Sequence, residues 1–194
     1  MNYAELKAAT LADTLAEAHE DLIARKINAA VKFISLSGKY QMDTMEAILG
    51  VADGVNDAAH VQTITVPARF RSVAYLRNLA CPGMKFRHYD IEELAARPDA
   101  QNVNYVSMGL LHIRHSVLTS EFTWGYYTYP AHLVADTDEN WITEMVPELV
   151  IDYTAAMVLN QLGSKETSKL ITDFSRQNLS IFMKDVMNTG TKIV

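Results

Sequence analysis

The sequence predicts an α+β fold in which N- and C-terminal helices pack as a helical bundle carrying an inserted antiparallel β-sheet region. Three observations lead there. The last quarter of the chain holds two apolar stripes at helical spacing, separated by Gly163 and Ser164. The N-terminal third holds the only other strong helical patterns. Between them, from Val61 onward, the apolar period changes to two, the alternation of a half-buried strand. Stripes at both ends need covering, so the ends pack together and the middle is an insert. The segments are 1–60 for the N-terminal helices, 61–135 for the β region, 136–187 for a C-terminal helical hairpin and 188–194 for a tail.

Taken in order, Tyr3 to about Ala18 is helical, with Leu6, Ala9, Thr10, Ala12 and Leu15 on helical spacings among good helix formers. Glu20 and Asp21 suit the positive end of a second helix, whose stripe is Leu22, Ile23, Ile27, Ala30, Val31 and Ile34. Gly38 stops it, and a third helical piece covers Met42 to Leu49. VQTITVP is a strand closed by Pro67, SVAYLRNLA a second, CPG a turn and MKFRHY its hairpin partner. Asp90 and Glu93 form a capping box for the short helix IEELAAR, which Pro98 ends. NVNYVSM, LLHIRHSVL and EFTWGYYTY complete a sheet of five or six short strands. From Asn140 the stripe Trp141, Met145, Leu149, Tyr153, Ala156 and Leu159 predicts a long helix. After Gly163 a second stripe follows in Leu170, Ile171, Phe174, Ile181, Phe182 and Val186, and so short a connection makes the two helices antiparallel neighbours. Phe174 is expected inside the bundle.

Composition excludes more than it selects. An apolar content of 49% with 21% charged residues is that of a globular protein with a real core, and no apolar run is long enough for a membrane span. The N-terminus MNYAELKAAT lacks the apolar core of a secretory signal. The single cysteine, Cys81, allows no intramolecular disulfide and suits a reducing compartment. A net charge of −6 argues against a dedicated DNA-binding surface.

No constellation of catalytic type emerges. His112 and His115 point to opposite faces of a strand and cannot readily share one ion, and no HExxH or Cys-His cluster accompanies them. Cys81, beside Pro82 and Gly83, has no base or helix N-terminus near it in sequence to lower its pKa. Glu92 and Glu93 diverge around a helix axis as adjacent residues. Nucleotide and hydrolase signatures such as GxGxxG, GxxxxGK[ST] and GxSxG are absent. The expectation is no enzyme, no metal and no cofactor. FTWGYYTYP remains, with Trp124, Tyr126, Tyr127 and Tyr129 set around Gly125. Such a run can stack bases or sugars, but alternate members of a strand fill a core, and core plus a protein interface is the reading favoured here.

As a whole the chain resembles the head–tail adaptor (connector) proteins of short-tailed bacteriophages. The resemblance rests on the order of several stretches: YAELKAATLADTL and DLIARKINAAVKFISLSGKY, then VQTITVPARFRSVAYL and LLHIRHSVLTSEFTWGYYTYP, then NWITEMVPELVIDYTAAMVLNQLGSKETSKL. It implies a structural virion protein, made in the host cytoplasm and placed at the head–tail junction. Such proteins form a homo-oligomeric ring of about twelve copies beneath the portal protein. The ring extends the DNA channel, passes DNA without specific binding, and docks the tail nozzle and possibly tail-fibre proteins.

Two other functions belong to different classes. A virion-associated cell-wall hydrolase would use Glu92, Glu93 or Glu121, and needs two carboxylates across a cleft. A nucleic-acid-binding module would use the aromatic strand and show salt-sensitive affinity for DNA. The tail, Thr189, Gly190, Thr191, Lys192, Ile193 and Val194, is read as a partner-binding element. Its β-branched residues suit strand addition to a neighbouring chain, and the resemblance points towards the portal as that neighbour.

Overall fold

The structure, a computed structural model, describes residues 1–16, 19–50, 55–56, 61–115 and 121–190. The chain is α+β and divides into two compact units. One combines residues 1–43 with 129–194 and is helical; the other, residues 44–128, holds the sheets.

In the helical unit, α1 (Tyr3–Thr14) is fixed at its start by a capping box. The Asn2 side chain accepts from the Glu5 backbone N–H at 2.9 Å, and Glu5 accepts from the Asn2 N–H at 3.0 Å. The helix ends earlier than its spacing predicts, because Leu15 takes a left-handed conformation (φ 51°) and closes it. Helix α2 (Glu20–Ser37) begins and ends where its acidic pair and Gly38 indicate, and buries Leu22, Ile23, Ile27, Ala30, Val31 and Ile34. The helix expected from Asn140 is two helices. Pro147 has no N–H to donate and restricts the residue before it, so Val146 leaves helical geometry (φ −137°, ψ 51°). Helix α4 (Trp141–Met145) therefore stops there, and α5 (Pro147–Gln161) starts with proline in the position that tolerates it. The short helix α3 (Ile91–Ala96) falls in the sheet unit and has the expected capping box through Asp90 and Glu93.

Helix α5 is the centre of this unit. Leu149, Val150, Ile151, Tyr153, Ala155, Ala156 and Val158 are buried, nearly all round its axis, because α1, α2 and α6 (Lys165–Gly190) all pack on it. Gly163, at φ 93°, makes the turn between α5 and α6, a backbone conformation that costs a side chain dearly. The expected end of α6 at Met187 is too early, since the helix continues to Gly190.

The expected helical piece at Met42–Leu49 is instead a 3₁₀ turn (Gln41–Asp43) followed by strand β1 (Thr44–Leu49). TMEAIL is short and two-sided, and pairing with β8 (Phe122–Thr128) decides its conformation over any local helical preference. In the sheet unit the order β1-β8-β4 gives one antiparallel sheet, with β4 at Phe70–Asn78. The second sheet runs β2-β3-β7-β6-β5, from β2 (Val55–Asn56), β3 (Val61–Thr65), β5 (Arg87–His88), β6 (Val103–Ser107) and β7 (Leu110–Arg114). The MKFRHY segment is not the hairpin partner of β4. Only Lys85 makes a bridge, to Arg77, whereas β5 pairs with β6 and in parallel. Leu49, Ile64, Leu76, Leu111, Ile113, Phe122, Trp124 and Tyr126 form this unit's core.

Candidate partner-binding surfaces

Register sorts the aromatic strand. Phe122, Trp124 and Tyr126 lie opposite Leu49, Ala47 and Met45 and share the core face of β8. Trp124 is 1% exposed and Tyr126 8%, so neither offers a ring to a base or to a partner. The opposite face carries Thr123, Gly125 and Tyr127, with Tyr127 half-buried. Tyr129, also half-buried, follows in the helical unit, where the Lys32 ammonium lies 5.5 Å from its ring centroid.

Gly125 has a steric reason to be glycine. The Tyr75 ring lies directly over it, so that a methyl built there would overlap the ring. Tyr75 donates its hydroxyl to the Glu46 carboxylate, and the Arg77 guanidinium sits 4.8 Å from the ring centroid. That hydrogen bond, with burial second, raises the Tyr75 pKa and keeps the hydroxyl protonated. Ile48, two-thirds exposed, lies on the same face of β1 as Glu46. The sequence gives no sign of this Tyr75–Gly125–Glu46 arrangement, because the three residues meet only through strand register.

The stripe expected to bury α6 is divided. Leu179 is buried and Phe182 and Met183 pack against the core, but Leu170, Phe174 and Ile181 are 72%, 60% and 59% exposed. Facing α5, the helix presents small hydroxyls instead. Ser168 donates to the Ala156 carbonyl at 2.8 Å, and Ser175 to the Asp152 carboxylate at 3.4 Å as well as back to Ile171. Small residues let the two helices approach closely, which turns the larger residues of the neighbouring stripe outward. Phe174 is thus a surface residue.

Beside that stripe, a groove of about 380 Å³ runs between the α4–α5 junction and α6. Val146, Leu149, Ile181 and Phe182 contribute apolar surface, and Glu148, Asp152 and Asp185 line it as well. Burial, more than the nearby carboxylates of Glu148 and Asp13, pushes the Asp152 carboxyl above its ordinary pKa, against the opposing hydrogen bond from Ser175.

The residues weighed for chemistry are scattered. The His112 ring stacks on Tyr105 at 4.6 Å and lies within 3.0 Å of the Ser107 hydroxyl, while His115 is buried against Phe122. Burial lowers the His112 pKa and favours its neutral ring. Glu93 is occupied in the cap of α3, and Cys81 lies in the turn that Met84 closes onto its carbonyl. Among the described residues, no three His, Cys, Asp or Glu side chains group as metal ligands would, and no helix is long and apolar enough to cross a membrane. Thr189 and Gly190 are the last residues of α6, and Thr191, Lys192, Ile193 and Val194 lie outside the described residues.

Leu170, Phe174 and Ile181 leave one face of α6 apolar and exposed in an α+β chain whose residues weighed for chemistry lie apart. The family model described as SU10 adaptor protein matches residues 1–169, and the chain belongs to that family. It is a phage adaptor, a structural protein that associates with other components of the virion. No curated protein matches it. The family match ends within the second turn of α6, so the exposed stripe and the tail lie beyond it.

Proposed function

We propose that this chain is a head-to-tail adaptor that forms a ring under the portal, extends the DNA channel and docks the tail nozzle or fibres. The observation that carries the reading is the family match over residues 1–169. The surfaces support it. Monomeric proteins seldom leave large apolar side chains grouped in the open, and Leu170, Phe174 and Ile181 on one helix are such a group. In a closed ring of about twelve copies every subunit covers the same patch on its neighbour. The net charge of −6 suits a channel through which DNA must move, because a basic lining would hold phosphates. Tyr127, Tyr129 and the tail are the partner-binding elements in this reading; Trp124 and Tyr126 serve the core.

The test is electron microscopy of the purified protein mixed with its portal. The expected image is an additional ring of density coaxial with the portal. Portals that stay bare at saturating adaptor, with the adaptor remaining monomeric, would sink the proposal.

A further inference from the structure

Every strand at the end of a sheet leaves a row of main-chain N–H and C=O groups ready to pair with another chain. The two sheets of residues 44–128 end in β1, β4, β2 and β5. Three of these edges are blunted. β2 and β5 are two residues long. β4 shifts register between Phe70 and Ser72 and again between Val73 and Tyr75, and bulges of this kind bend a strand and leave residues unpaired. β1 keeps unbroken register with β8 over all six residues and carries neither proline nor lysine, which guard many natural edges. Met45 lies on the core face opposite Tyr126 and is still 51% exposed, while Ile48 on the other face is 66% exposed. Among the described residues no strand covers the outer side of β1.

We propose that β1 takes up, by strand addition, an extended segment of a different protein that alternates apolar and basic residues. Main-chain hydrogen bonds to the outer groups of Thr44–Leu49 supply affinity, and side chains on the two faces supply selection. Apolar residues of the segment cover Met45 and extend the core face. On the opposite face Glu46 is exposed, and its carboxylate accepts from the Tyr75 hydroxyl, with acceptor capacity left for a Lys or Arg beside it. A second copy of this chain does not fit. Its one regular edge among the described residues is β1 itself, and an edge paired with its own copy closes a two-fold dimer. Neighbours in a ring of about twelve are not related by a two-fold.

The proposal rests on the adaptor reading for its probes and for setting a second copy aside. Its test is residue-resolved hydrogen exchange of the full chain, alone and saturated in turn with the purified portal and the purified tail nozzle. In the isolated chain the outward amides of Thr44–Leu49 should exchange freely, and one of the two probes should slow them by about tenfold or more. Ile48→Lys and Glu46→Lys, both on exposed side chains, should each weaken that probe's binding by about tenfold. The exchange measurement needs no variant, so a variant that fails to fold leaves it intact. β1 amides that exchange as fast with both probes bound as without, or that are slowed in the chain alone as it dimerises, would overturn the proposal. Binding indifferent to both substitutions would do the same. Rings on portals with β1 still open count against strand addition alone. Slowed β1 amides under the nozzle, with portals left bare, count against the ring reading alone. A chain that binds neither probe overturns both.

Discussion

Gly125, Asp152 and Asn28 each report a different force at single-residue scale. At Gly125 the issue is space. Gly125→Ala drives a methyl into the Tyr75 ring, and displacing that ring breaks its bond to Glu46. Overpacking of this kind costs about 1–3 kcal/mol, readable as a lower urea midpoint. Tyr75→Ser in the same chain should recover most of the loss, since it removes the colliding ring. At Asp152 the issue is charge. Because burial and neighbouring carboxylates raise its folded pKa, the folded state holds this proton more tightly than the unfolded chain does. Stability from this group is therefore greatest in acid and falls as pH rises from the ordinary Asp range through the raised folded value. Asp152→Asn should raise the melting temperature at pH 7, with the advantage shrinking towards zero on acidification. A gain that grew in acid instead would have the sign reversed. At Asn28 the issue is polar satisfaction. Its side-chain amide donates to the Leu133 carbonyl at 3.0 Å and accepts from the Leu133 N–H at 2.9 Å, and Leu133 is 1% exposed. Asn28→Ala leaves a buried donor and acceptor without this partner and should cost about 1–3 kcal/mol in chemical denaturation.

At the scale of an element, α6 shows how a helical period can be right while its face is wrong. The 3.6-residue spacing makes Leu170, Phe174 and Ile181 neighbours on one side, but cannot say whether that side meets this chain or another. Phe174→Ala is accordingly expected to change the isolated chain's stability by less than about 0.5 kcal/mol, as a surface substitution does. Leu179→Ala, on the buried side, should cost about 2–5 kcal/mol. Urea unfolding of the two variants side by side checks the assignment, and equal losses would contradict it. If Phe174 lies in a subunit contact, Phe174→Ala should also reduce ring occupancy on portals while leaving the urea midpoint in place. Helices α4 and α5 teach the complementary lesson. Their break at Val146–Pro147 lets α4 turn so that the Trp141 indole donates to Asp43 at 2.7 Å, a contact across much of the sequence.

For the whole molecule, the helical unit is assembled from both ends of the chain. The clip between Asn28 and Leu133 and the 2.6 Å ion pair of Lys7 with Asp136 tie residues more than a hundred positions apart. The ion pair is exposed and contributes little by itself; burial of Leu6, Ile23, Ile27, Ile142 and Val150 in one cluster is the main source of cohesion. That arrangement frees the intervening residues 44–128 to form a second core of their own. Family membership describes most of this architecture, whereas the exposed part of α6 and the tail lie past the matched residues.

By itself the sequence determined whatever depends on near neighbours along the chain. The cap at Asp90, the alternation of VQTIT and FTWGYYT, the stop at Gly38 and the turn at Gly163 all act within a few residues. The order of whole stretches carried the family. Tertiary structure alone decided matters settled by partners distant in sequence. Residues 44–49 are a strand because β8 is available to pair with them, and MKFRHY makes only one bridge to β4 because its Arg87 and His88 pair with β6 in the other sheet. Register sends Trp124 and Tyr126 into the core and leaves Tyr127 on the other face of the strand, and it seats Tyr75 on Gly125. The outward turn of Phe174 follows from Ser168 and Ser175 facing α5 at close range. Periodicity measures how apolar residues repeat, but burial depends on which surface arrives opposite them, and only the folded chain supplies that surface.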